Sequence, residues 1–180
     1  MIGCTIAVAA SMAAPSIGEA DRAAIAARIT DFDAMMRQGR IADSIDFLPP
    51  RLLRMIAQRF GVPDADVKAM IGAQMADAVA DVRFLSFGMD MQAARVAATP
   101  DRQRAYMLIP THSMIAVPDV GTLRSQTSTL ALQDDGLWYL VRIDSPQQVA
   151  LLRAAYPEFT GVDFPSGSST MVDDTDPTPP

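Results

Sequence analysis

The hydrophobic period of this chain changes once, near residue 82. Before that point apolar side chains recur every three or four residues, the spacing of one helical face. After it, β-prone runs separated by turn signals continue as far as Ile143. Helices first and strands second do not make alternating βαβ units. The expected class is therefore α+β, with N-terminal helices packed on one face of a curved antiparallel sheet. Leu130–Arg142 anchors this reading, because two β-prone runs flank Asp134-Asp135-Gly136. A glycine that accepts positive φ at the end of an acidic pair is a hairpin signal.

The elements follow from spacing and punctuation. Ile25, Ile29, Phe32 and Met36 form one stripe and place a first helix over Glu19–Gln38, stopped by Gly39. Arg40–Phe47 makes a short second helix, ended by Pro49-Pro50 because a residue before proline is steered from helical ψ. Pro50 suits the first turn of a third helix through Phe60, with Leu53, Ile56 and Phe60 on one side, and Gly61-Val62-Pro63 breaks it. Asp64 is expected to cap a fourth helix that buries Val67, Met70, Ile71, Met75, Ala78 and Val79. Arg51, Arg54 and Arg59 read as the solvated face of the third helix.

Four strands should follow in hairpin order, Arg83–Ala98, Arg104–Val117, Thr122–Gln133 and Leu137–Ile143, making a four-stranded meander. Pro110, with no N–H to donate, predicts a bulge or bend in the second strand. Arg124, Gln126 and Ser128 alternate with Ser125, Thr127 and Thr129, so that segment is expected to be an edge or solvated strand. Ser145–Tyr156 returns as a final helix with Val149, Leu152 and Tyr156 inward.

The 180 residues are 49% hydrophobic, enough for a single cored domain over about residues 21–159. Four of the acids behind the net charge of −6 (Asp163, Asp173, Asp174 and Asp176) lie after Phe159, where there is no Lys or Arg. The body is thus nearly balanced, with no basic stripe for nucleic acid. Residues 160–180, rich in Pro, Ser, Thr and Asp, are expected to be disordered. Ile2–Ala14 is apolar and built of small residues, with an Ala-rich cleavage option at Gly18-Glu19-Ala20. It reads as a signal peptide over residues 1–20, too short for a membrane span and without basic residues before Arg22. The expected compartment is periplasmic or extracellular. Cys4 leaves with that peptide, so the mature chain carries no thiol chemistry.

Much catalytic chemistry is excluded. The chain has no G-x-x-x-x-G-K-[ST], no G-x-G-x-x-G and no G-x-S-x-G, hence no phosphate loop and no nucleophile elbow. One His and no mature Cys cannot assemble an ordinary zinc site. Neither Asp64 with Asp66 nor Asp134 with Asp135 has calcium-loop spacing. The twelve methionines raise copper, notably at Met89-Asp90-Met91. Met36, Met55, Met70 and Met75 nevertheless fall at or beside helical core positions, where Met fills gaps. No metal and no cofactor is expected.

The layout over Glu19–Ile143 resembles the cone-shaped nuclear transport factor 2-like superfamily. Local echoes are the break after the first helix at Met36-Arg37-Gln38-Gly39-Arg40 and the Asp135-Gly136-Leu137-Trp138 entry to a late strand. Pro49-Pro50 and the terminal helix depart from the usual pattern, leaving the subfamily open. The resemblance implies a curved sheet wrapped around a helix to form a conical pocket, with frequent dimerisation through the sheet. Some members are isomerases, dehydratases or cyclases, and others bind without chemistry.

On that resemblance His112 becomes the candidate acid–base inside the cone, with Asp43, Asp46 or Asp90 as partner and Tyr106 beside it against a ligand. Trp138, Leu140 and Arg142 share a face of the last strand, a candidate homodimer interface anchored by Trp138. The expected role is noncatalytic binding of a small apolar ligand or a protein partner. The alternatives are an isomerase- or dehydratase-type enzyme using His112 and a structural dimerisation module with a filled cone.

Overall fold

In the computed structural model, which describes residues 15–172, the helices come first and the sheet follows. Helix α1 spans Glu19–Arg37, with Glu19 and Asp21 in its first turn and Arg37 in its last, the charge order the helix dipole favours. Gly39, at φ 70°, ends it. The expected short second helix forms over Ile41–Phe47, as a 3₁₀ segment. Helix α2 spans Pro50–Phe60, opened by proline in its first turn and closed by Gly61 at φ 65°. Helix α3 spans Val67–Ala78, and its N-cap is Asp66 rather than Asp64, because a turn tied by Asp66 N–H to the Pro63 carbonyl precedes it.

The sheet is antiparallel and curled, with six strands among the described residues rather than the expected four. They are β1 (Arg83–Met89), β2 (Arg95–Ala98), β3 (Ala105–Val117), β4 (Gly121–Asp134), β5 (Leu137–Ile143) and β6 (Ser168–Val172). The long pair β3–β4 runs without a break from Tyr106 opposite Leu132 to Val117 opposite Gly121. Each outer edge of this hairpin carries two strands laid end to end. β1 and β2 pair with β3. β5 and β6 pair with β4.

Pro110 explains the division of β1 from β2. A strand residue's N–H and C=O point the same way, and the Pro110 carbonyl accepts from Asp90 N–H at 2.9 Å, on the β1–β2 side. Its missing N–H therefore lies where one edge strand ends and the next begins. The expected bulge is absent, since the β3–β4 register is continuous through Pro110, and the sheet's irregularity falls at Phe84/Ser86 in β1 instead. The expected hairpin joins β4 to β5, but β4 runs on through Asp134, so the turn has two residues, Asp135 at φ 46° and Gly136 at φ 79°.

After β5 the chain forms helix α4 (Pro146–Ala155), capped by the Ser145 hydroxyl accepting from Gln148 N–H, and a 3₁₀ turn at Pro157–Phe159. The tail expected to be disordered is instead ordered through Val172: Val162 is buried in the core and Ser168–Val172 pairs with β4. Composition underweighted this segment because the driving force is backbone pairing. β4 outruns β5, and its remaining N–H and C=O groups need partners, whatever the side chains of the incoming strand. Residues 173–180, and all but the last part of the expected signal peptide (residues 1–14), lie outside the described residues. Among the described residues no helix is long and apolar enough to cross a membrane.

Both faces of the sheet are covered, not one. Met107, Ile109, Ala131, Trp138 and Leu140 pack against Ile25, Met35 and Met36 of α1 and Phe47. On the other face Tyr106, Leu130, Leu132, Val141 and Ile143 pack against Leu152 and Ala155 of α4, Tyr156 and Phe159. Side chains of alternating parity in β3 and β4 thus serve two cores.

Candidate functional site

Strand parity assigns each side chain of β3 and β4 to a face, and the face under α1 changes character along its length. Met107, Ile109 and Ala131 are wholly buried. Farther along the same face come Thr111 and Ser113 on β3, then Ser125, Thr127 and Thr129 on β4. The register sets Thr111 opposite Thr127 and Ser113 opposite Ser125. It also sets Thr129 opposite Arg142 of β5. A belt of hydroxyl groups therefore crosses the centre of the sheet.

Above this belt is a cavity of about 400 Å³. The 3₁₀ segment, α2 and α3 supply an apolar wall that includes Ile45, Leu52, Ile71 and Met75, and Phe32 and Met36 of α1 extend it. Thr111, Ser113, Thr127 and Thr129 form the sheet side, and Arg142 and Gln148 also line the cavity. The volume is that of a small-molecule site, and the lining is the usual mixture of many apolar groups and few polar ones. Among the described residues Arg142 is the only charged side chain in the lining, and its guanidinium is paired with Asp144. A second, more open hollow of about 410 Å³ shares Met36, Ile41 and Phe84 and reaches Arg37 and Arg40. Both arginines are spoken for, by Asp33 at 2.7 Å and Asp43 at 2.8 Å.

The hydroxyl belt is partly committed to itself. Thr111 Oγ1 donates to the Ile109 carbonyl at 3.1 Å and lies 2.7 Å from Thr129 Oγ1. With the Thr111 proton on the carbonyl, Thr129 must donate to Thr111, and only lone pairs remain free on Thr129. Ser125 is engaged by Ser169 of β6 at 2.8 Å. Ser113 and Thr127 hold no side-chain hydrogen bond with the rest of the described protein and line the cavity.

The residues singled out from sequence fall elsewhere. His112 has the opposite parity to Thr111, is exposed on the outer face, and does not line the cavity. Its ring lies over Gly88 of β1, its cross-strand partner, so closely that a β-carbon there would sit 2.5 Å from Nε2. No carboxylate pairs with it among the described residues. The absence of a bulge at Pro110 leaves Tyr106 on that same outer parity. Tyr106 is buried in the α4-side core, its ring 5.3 Å from that of Phe159, and burial raises its pKa above the usual tyrosine value. Neither residue touches the cavity.

The interface candidates are corrected as well. Trp138 and Leu140 are 6% and 3% exposed, because α1 lies over them and Trp138 Nε1 donates to Asp21 Oδ1 at 3.2 Å. They are not open surface for a partner. Arg142 is exposed and also borders the cavity.

Of the residues that matter most here, Thr127 and Thr129 belong to the segment whose polarity suggests an edge or solvated strand, and Ser113 sits on the neighbouring strand beside His112. β4 is instead central, with strands on both sides. The available signal was the pairing of two hydroxyl runs, Thr111-x-Ser113 and Ser125-x-Thr127-x-Thr129, brought face to face by a hairpin. Among the described residues no three His, Cys, Asp or Glu side chains converge as a metal would require. Comparison with known proteins finds no matching family model, no matching curated protein and no matching solved structure.

Proposed function

We propose that this domain binds a small apolar molecule in the cavity between the curled sheet and the N-terminal helices, without chemistry, and that it works outside the cytoplasm. The observation that carries the reading is the cavity itself. It has about 400 Å³, apolar walls, and, among the described residues, no His, Asp, Glu, Lys, Cys or Tyr in its lining. General acid–base catalysis needs a titratable group within hydrogen-bond reach of the bound molecule. The reading fits a noncatalytic, cone-shaped member of the nuclear transport factor 2-like group, and the apolar Ile2–Ala14 stretch supports export.

The test is native mass spectrometry on protein recovered from the exported fraction of its host, followed by titration with the neutral fluorophore N-phenyl-1-naphthylamine. The expected results are a noncovalent small-molecule mass on the chain and an increase in fluorescence that Ser44→Leu abolishes by filling the cavity. A bare chain that leaves the fluorophore dark would refute the binding role. Recovery only from the cytoplasm would refute the export half.

A further inference from the structure

We infer that the molecule held in this cavity is neutral and carries an alcohol-type oxygen, which rests against Ser113, Thr127 and Thr129. The inference depends on the binding role proposed above and narrows it to a ligand class.

The first argument is hydrogen-bond supply. Ser113 and Thr127 each offer a donor and acceptors, and Thr129 offers only lone pairs once its proton serves Thr111. An alcohol both donates and accepts, so one ligand hydroxyl satisfies Thr129 and takes a proton from Thr127 or Ser113. A hydrocarbon would leave these groups unmatched in a cavity it had dried, which costs far more than an exposed hydroxyl does. A carboxylate could accept but would leave the Thr129 lone pairs facing another acceptor.

The second argument is charge. Arg142 is the only cation in the lining among the described residues, and Asp144 already neutralises it. Its side chain is 54% exposed, so water competes for whatever it retains. An anionic ligand would have to displace Asp144 while that carboxylate stayed nearby. Gln148 adds no charge: its Oε1 accepts from Asp144 N–H at 2.8 Å, leaving its NH₂ as one more neutral donor. Taking a carboxylate from water into such a site is uncompensated.

The experiment is competition against bound N-phenyl-1-naphthylamine by 1-octanol, octanoate at pH 8 and n-octane, on the full chain and on Ser113→Ala/Thr127→Val. The expected result is displacement by octanol at a concentration at least tenfold below that of octanoate. The double variant should need about tenfold more octanol, from roughly fivefold or less per hydroxyl, with octane unchanged. Thr127→Val alone, nearly isosteric, guards against misfolding of the pair and should show the smaller part of the loss. Octanoate competing as well as octanol, or variants that bind octanol like the parent, would overturn the ligand class while the cavity still bound apolar molecules. A fluorophore that never binds would overturn the cavity role itself, and the ligand class with it.

Discussion

The Tyr156 hydroxyl donates to Asp134 Oδ2 at 2.9 Å, joining the end of α4 to the last residue of β4 in a buried contact. Arg51 N–H reaches the same oxygen at 3.3 Å, bringing the start of α2 to this point. The guanidinium groups of Arg51 and Arg104 lie over the Tyr156 ring at 5.0 and 5.2 Å, and Glu158 accepts from Arg104 Nε at 2.9 Å. Four parts of the chain, far apart in sequence, are joined here by hydrogen bonds, cation–π contacts and one close ion pair.

Tyr156→Phe should therefore lower stability by about 1–3 kcal/mol, because it leaves a buried carboxylate short of a donor. Burial, then the Asp134 hydrogen bond and charge, hold the Tyr156 proton far above the usual tyrosine range. The unfolded chain releases its tyrosine protons near pH 10, while the folded chain keeps this one. Stability from this group is complete below about pH 10 and falls as pH rises further. Urea unfolding at pH 8 and at pH 11 should show a steeper loss for the parent than for Tyr156→Phe. Equal losses would mean the hydroxyl titrates like an exposed one.

His112 and Gly88 form the next test, since the ring covers a position without a side chain. His112→Ala should cost about 0.2–1 kcal/mol, the range of a cross-strand pair, and leave fluorophore binding unchanged. Gly88→Ala should be more costly in the parent than in the His112→Ala background, because the added methyl needs the space the ring occupies. A double-mutant cycle reads that coupling. Loss of binding on His112→Ala would return this residue to the site.

The start of the folded unit is the third. Ile17 is 8% exposed in the α1-side core, and Gly18 N–H donates to Asp21 Oδ2 at 3.2 Å. A chain beginning at Asp21 lacks both, and its cut falls inside the first turn of α1. Compared with a chain beginning at Pro15, it should be less stable by at least the burial of one isoleucine, about 1.5–3 kcal/mol. Trp138, whose indole bonds Asp21, supplies the fluorescence signal for the unfolding curves. Matching midpoints would remove Ile17 from the core's account.

Gly167 tests the unexpected strand. A β-carbon there would sit 2.8 Å from Asp144 Cβ and 3.2 Å from Asp144 Cα, part of the backbone. Gly167→Ala should push β6 off β4 at an overpacking cost of about 1–3 kcal/mol. Hydrogen exchange should then speed up at Thr122–Gln126 and stay slow at Leu130–Leu132, which pair with β5. Unchanged exchange at Thr122–Gln126 would show that β6 tolerates the shift.

What was legible in the sequence was whatever local rules decide. The stripe of Ile25, Ile29, Phe32 and Met36, the stops at Gly39 and Gly61, and the Asp135-Gly136 hairpin all depend on neighbours a few residues away. What stayed hidden needs the assembled sheet. Whether Thr127 and Thr129 meet water or a cavity depends on which strands flank β4, and β6 arrives from more than forty residues further on. Asp134 looked like a turn residue and is instead the last residue of β4, held in a buried place by Tyr156 and Arg51, which no local pattern connects. His112 is a candidate through the acid–base group the resemblance places inside a cone, and that says nothing about which side of its strand the side chain takes.

The end-to-end strands also bear on how copies of this chain meet one another. A long open strand edge is a template on which a second chain can add, and continuous β3 and β4 edges of 13 and 14 residues would be such templates. Here the outermost strands have 7, 4, 7 and 5 residues. Asp90–Ala94 separates the first two, and α4 intervenes in the chain between the last two. Among the described residues an incoming strand therefore meets an interrupted edge on either side of the β3–β4 hairpin, in place of one continuous row of open amides.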